Sequence, residues 1–155
     1  MKQHHYKATI EWTGNLGNDT SKYDVYSRNH TIKTENKAII EASSDPAFLG
    51  DNTRYNPEEL LLPSLSSCHM LWYLHLCTVN KINVVSYLDK PEGVMNEDKN
   101  GSGKFSSVTL NPEILIRKTE NIEKAIELHK KANEMCFIAN SCNFTITHKP
   151  IVTTK

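Results

Sequence analysis

Net charge is the first thing this chain lacks. Its 18 Lys+Arg balance 18 Asp+Glu and no basic run occurs, so the electrostatic footprint of a nucleic-acid binder is missing. Long apolar runs are missing too. The most apolar stretch is broken by Pro63, Ser64, Ser66, Ser67 and His69, which leaves it too polar and interrupted for a membrane-spanning helix. The N-terminal MKQHHYKATIEW holds no apolar core and no small-residue cleavage site, unlike a secretory leader. These absences predict a cytoplasmic protein with no membrane or nucleic-acid partner. Glycine and proline are scarce at six each, and 38% of the 155 residues are apolar. That composition suits a single globular domain over residues 1–155 with a modest core.

Paired cysteine motifs are also absent. Cys68, Cys77, Cys136 and Cys142 form no C-x-x-C, which excludes the usual zinc-ribbon and thioredoxin signatures. A structural disulfide framework is not expected in a reducing compartment, where disulfides tend to be catalytic or sensing. Any of the possible pairings among the four therefore raises a redox question, and spacing does not choose among them.

What is present is a strong helix signal over residues 56–77, NPEELLLPSLSSCHMLWYLHLC. Asn56 suits the N-cap, Pro57 the first turn, and Glu59 the acid of a capping box. Leucines and aromatics on most sides predict a largely buried helix reaching about Asn80. Pro63 predicts a kink, or two helices meeting. Glu58 and Cys68 lie about 80° apart around an ideal helix. A cysteine buried in such a pattern is either core filler or chemistry.

Around this helix the periodicity changes. Tyr6, Ala8, Ile10 and Trp12 alternate with polar residues as in a half-buried strand. Residues 23–28 and 30–35 read as further strands of an antiparallel meander, and residues 43–55 as a loop. Strands are expected at 84–88, 105–110 and 114–117, with Pro91 and Gly93 interrupting and a turn at 101–103. A second helix capped by Asn121 carries Ile122, Ala125, Ile126, Ala132 and Met135 as its apolar stripe. Residues 144–148 form a last strand. The sum is an α+β domain.

Several motifs then converge on a resemblance. They are Ala8-x-x-Glu11-Trp12-x-Gly14-x-x-Gly17, Tyr26-Ser27-Arg28-x-His30, Asp45-Pro46-Ala47-Phe48, NPEELL from Asn56, SLSSCHMLWYLHLC from Ser64, and Cys136-Phe137-Ile138-Ala139-Asn140-Ser141. With them the chain resembles the OsmC/Ohr family, named for osmotically inducible protein C and organic hydroperoxide resistance protein. The resemblance implies antiparallel sheets packed around two long central helices in an intertwined homodimer, with active sites at the subunit interface. It implies a thiol peroxidase for organic hydroperoxides, alkyl or fatty-acid, that uses no flavin, haem or metal. Cys68 matches the peroxidatic cysteine, Cys136 the resolving cysteine, and Glu58 the first glutamate of NPE. The activating arginine matches Arg28, with Arg54 as the alternative. The resemblance points to an external dithiol of lipoyl type as the reductant.

That chemistry suits these residue types. A guanidinium favours the thiolate, which is the nucleophile, and never loses its own charge. Glu58 can orient the guanidinium by a bidentate pair. Leu61, Leu65, Met70 and Trp72 either line an apolar pocket or are simply core. Cys77 and Cys142 read as packing, His69 as a hydrogen-bonded interior or interface histidine, and Glu59 as a cap. A metal site from Cys68, His69, His75 and Cys77 is disfavoured, because His75 and Cys77 at i, i+2 point apart. Two other classes stay open: a non-enzymatic binder or redox sensor of a small apolar or electrophilic molecule, and a metal-binding or purely structural dimer.

Overall fold

The computed structural model describes residues 2–155 and divides into two compact units, Met1–Leu61 and Leu62–Lys155. The first unit is an antiparallel sheet in the order β1 (Thr9–Trp12), β2 (His30–Lys33), β3 (Ile40–Ala42). All four residues of β1 are exposed, against the half-buried strand that its alternation predicts. Strands of three or four residues offer too little sheet to bury a face.

Residues 23–28 correct a second expectation, for they form turns and bends rather than a strand. Local bonds outcompete a sheet ladder there. The Arg28 guanidinium donates from Nη1 to the Tyr26 carbonyl and from Nη2 to the Tyr23 carbonyl, each at 2.6 Å. It also lies 4.2 and 4.3 Å from the Tyr23 and Tyr26 ring centroids. Both interactions curl the segment.

Residues 43–55 are a loop with a short 3₁₀ turn, Pro46–Phe48, capped by the Asp45 carboxylate on the Ala47 N–H. At Gly50 a Cβ would collide with the Ser44 carbonyl oxygen. Gly50→Ala is therefore expected to cost about 1–3 kcal/mol, the range for a forced overlap. A chemical-denaturation midpoint no lower than wild type would contradict that close approach.

The capping box forms as predicted: the Asn56 side chain accepts from the Glu59 N–H at 2.7 Å, and Glu59 accepts from the Asn56 N–H at 3.0 Å. Helix α1 then runs Pro57–Val79 without a break through Pro63. The expectation of two helices meeting there is corrected. One lost N–H bond costs about 3 kcal/mol, whereas Leu65, Tyr73 and Cys77 beyond it are buried almost completely, each large side chain contributing about 1.5–3 kcal/mol.

In the second unit α1 serves two cores. One gathers Tyr73 and Cys77 with Ile114 and Ile116 of β7 (Pro112–Ile116) and with Ala125, Leu128 and Ala132 of α2 (Ile122–Met135). The other gathers Leu65 and Cys136 with Val108 and Leu110 of β6 (Gly103–Leu110). Each core lies on a three-stranded sheet, one ordered β4-β7-β9 and the other β5-β6-β8. Here β4 is Val84–Asp89, β5 Glu92–Glu97, β8 Thr145–His148 and β9 Ile151–Thr154. Strands β5 and β9 carry no clean alternation and are additions to the sequence reading.

These two sheets are mixed, which corrects the all-antiparallel expectation: β8 pairs parallel with β6, and β9 with β7. The long passage through α2 permits this, since parallel pairing needs a crossover whereas a hairpin cannot provide one. Asn121 sits in the αR region and makes no side-chain cap, so the 3₁₀ turn Thr119–Asn121 leads into α2 in its place. The buried stripe of α2 is Ala125, Leu128, His129 and Ala132. Ile126, expected on it, is 43% exposed. No helix among the described residues is long and apolar enough to cross a membrane.

Candidate functional site

Cys68, Leu71, Trp72 and His75 follow the i, i+3, i+4, i+7 spacing that places side chains on one helix face. With Ser67 and Phe137 they line a cavity of about 460 Å³. Its walls are chiefly aromatic and aliphatic. Trp72 meets both His75 and Phe137 edge-to-face, with centroids 5.8 and 5.6 Å apart. Of the expected lining residues only Trp72 takes part, because Leu65 is fully buried in core.

Cys136 reaches the same place from α2. It ends that helix in an extended conformation, φ −69° and ψ 112°, so the chain turns away and Phe137 arrives at the cavity. The Cys136 thiol is fully buried and its Sγ accepts from the Ala139 N–H at 3.4 Å. Cys68 packs against the buried cluster that holds Cys136. Burial first, and then the hydrogen bond and charge of the Cys68 sulfur, push the Cys136 thiol up to about 12. Both cysteines are free thiols. At neutral pH Cys136 therefore stays a thiol, while half-buried Cys68 faces the cavity.

The remaining expected residues belong to the first unit. Arg28 is held by two backbone carbonyls and two tyrosine rings, all neutral. Arg54 pairs with Glu41 at 2.5 Å and with Asp51 at 3.6 Å. Glu58 is half-buried in the first turn of α1. Among the described residues neither arginine forms an ion pair with it. Cys77 is buried against Tyr73 rather than facing the cavity with His75, and burial pushes its thiol up. Cys142 donates to the Ile138 carbonyl at 3.2 Å. Among the described residues no cluster of three or more His, Cys, Asp or Glu is arranged to hold a metal ion.

Three histidines escaped the sequence reading as a group. His69 and His129 are fully buried, and their Nε2 and Nδ1 atoms are 3.0 Å apart. His148 packs against both, at ring-centroid distances of 5.7 and 6.2 Å. The signal for His129 was its place between Ala125 and Ala132 on the α2 stripe. Burial, and then the neighbouring His148, lower His69 to about 4. Burial, then His69 and His148, lower His129 to about 3.

The family profile described as OsmC-like protein matches residues 50–150 of this chain. Among solved structures, an OsmC-like protein of unknown function from Vibrio cholerae is 28% identical with a TM-score of 0.84, covering 96% of this chain and 100% of its own. An organic hydroperoxide resistance protein from Elizabethkingia anophelis has a TM-score of 0.71 at 21% identity and covers 99% of both chains. Another, from Bacillus subtilis, has a TM-score of 0.66 at 19% identity, with 97% of this chain and 98% of its own covered. No curated protein sequence matches the chain.

Proposed function

We propose, from the premise that this chain belongs to the OsmC-like protein family, that it is a thiol peroxidase for organic hydroperoxides. The observation carrying this reading is the packing of Cys68 against the buried cluster of Cys136, beside an apolar cavity lined by Cys68 alone of the two. An alkyl or fatty-acid tail suits those walls better than water-like hydrogen peroxide does.

The Cys68 thiolate attacks the nearer peroxide oxygen. The O–O bond breaks, the departing alkoxide takes a proton to become an alcohol, and Cys68 is left as sulfenic acid. Cys136 then attacks that sulfur, forming the disulfide and expelling water. Once Cys68 has become sulfenic, the anionic charge opposing ionisation of Cys136 is gone. An external dithiol, lipoyl-like in its paired thiols, exchanges with the disulfide, returns both cysteines to thiols and is itself oxidised.

The thiolate needs a cation, which we assign to Arg28 in a homodimer with sites at the subunit interface, oriented by Glu58. Arg28 is the better choice on charge. Its partners are neutral, so its full positive charge stays available, whereas Glu41 and Asp51 compensate Arg54. Arg28→Ala is expected to lower kcat/KM by about 10²-fold or more, as for loss of a charge-stabilising donor, and Arg54→Ala by much less. The reverse order would move the assignment to Arg54.

The reading itself is tested by following dithiol-dependent loss of cumene or tert-butyl hydroperoxide with purified protein. Consumption no faster than with the dithiol alone would end it and leave a binder or sensor of small apolar molecules.

A further inference from the structure

The buried histidines lie outside the cavity, yet they join the two helices that carry the sulfurs. His69 follows Cys68 directly in α1. His129 stands two turns before Cys136 in α2, about 10 Å along the axis at 1.5 Å per residue. Their rings are nearly parallel, with centroids 5.3 Å apart and an interplanar angle of 11°. Tyr73 stacks on the His129 ring, with centroids 3.9 Å apart. The small residues Ala125 and Ala132 flank the joint on α2.

A neutral imidazole has one N–H and one lone pair. Where two ring nitrogens face each other at 3.0 Å, one must donate and the other accept, so the joint exists only while at least one facing nitrogen is unprotonated. The first additional proton places a charge in this enclosure, and protonation of both rings removes the bond. The titratable groups packed around the pair offer no compensating negative charge. His148 of β8 would itself be cationic in acid, and Tyr73 and Cys77 of α1, with Tyr87 of β4, are neutral groups whose burial opposes ionisation. Asp89 of β4 lies near Tyr87, but Ser66 at 2.5 Å and the Asn111 N–H at 2.7 Å already engage its carboxylate.

We propose that His69 and His129 are a positioning pair: their hydrogen bond holds α1 against α2 so that Cys136 reaches Cys68, and protonation of the pair opens that contact. The consequence for turnover rests on the thiol-peroxidase reading. The positioning itself is a statement about two sulfurs and can be tested without peroxide.

The test uses 4,4′-dithiodipyridine on the full-length reduced protein. A Cys68 thiolate breaks the reagent's S–S bond, forms a mixed disulfide and releases one thiopyridone. Cys136 then loses its proton and attacks the Cys68 sulfur, breaking that sulfur's bond to the pyridyl sulfur and closing the Cys68–Cys136 disulfide, and the departing sulfur takes up a proton and leaves as the second thiopyridone. Closure is followed by the second absorbance step and mapped by peptide mass, with far-UV circular dichroism at each pH. His129→Gln is the reference variant, since an amide can hydrogen-bond but does not titrate.

Thiolate ionisation alone slows closure about tenfold per pH unit, and it cancels in the ratio of wild type to variant. That ratio is expected to fall by about tenfold or more between about pH 7 and about pH 3, with helix content retained, because His69 and His129, lowered to about 4 and about 3 in the folded protein, charge in the lower part of that range. A constant ratio overturns the proposal, as does a fall that only accompanies loss of helix. Should His129→Gln not fold, wild type alone decides. Its closure must slow more steeply than tenfold per unit, in step with the imidazole NMR titration of His69 and His129, and a slope of tenfold or less rejects the joint.

Discussion

Cys68→Ser is expected to abolish dithiol-dependent peroxide consumption, with a loss of about 10³-fold or more, while Cys136→Ser fails differently. A serine hydroxyl has no accessible anion at neutral pH and is a far weaker nucleophile than a thiolate, so no chemical step remains in the first variant. In the second, attack on the peroxide proceeds, one equivalent of alcohol forms, and Cys68 is stranded as sulfenic acid. Excess peroxide then carries it to sulfinic acid, which a dithiol cannot reverse. Intact-mass analysis should show two added oxygen atoms on Cys136→Ser and an internal disulfide in the wild type. Equal resistance of wild type and Cys136→Ser to inactivation would remove Cys136 from the cycle. Activity surviving in Cys68→Ser would remove the thiol mechanism altogether. Neither outcome would disturb the histidine proposal, which is read from disulfide closure with a pyridyl reagent.

The second large effect is on stability in acid. An unfolded histidine titrates at about 6.5, whereas His69 is lowered to about 4 and His129 to about 3 in the folded protein, burial being the first cause for both. His148 is lowered as well, by burial. Between these limits the unfolded chain binds more protons than the folded one, so stability rises with pH. The contribution is complete above about pH 6.5 and is lost as pH falls through that value toward the folded ones, at about 1.4 kcal/mol per proton per pH unit. The urea midpoint is therefore expected to decline steeply from about pH 6.5 downward, before most carboxylates titrate. Replacing His129 by Gln should make the decline shallower by one proton. A midpoint that holds steady down to about pH 4.5 would mean that the three rings are charged or hydrated in the folded state.

Both predictions depend on features that were unequally visible in the sequence. The start of α1 was legible because a capping box is local: Asn56 and Glu59 need only each other. The choice of Cys68 and Cys136 came from motif resemblance, and their contact could not be deduced from a separation of 68 residues. Several local signals misled because a competing interaction won. Tyr and Val at 23–28 suggested a strand until Arg28 bonded two carbonyls of that segment, and Asn121 suggested a cap although its αR backbone turns the side chain away.

Periodicity and capping thus determined, from the chain alone, that a long helix begins at Pro57 and that the domain mixes helices with sheets. Such signals act within a few residues, and the chain writes them directly. Only tertiary packing decided that β8 and β9 run parallel to their neighbours, that Phe137 comes to line the cavity beside Cys68, and that His69 meets His129. Those contacts join segments dozens of residues apart. They form because burying apolar surface between the helices and sheets draws the segments together, and the polar groups carried inward must then find one another in place of water.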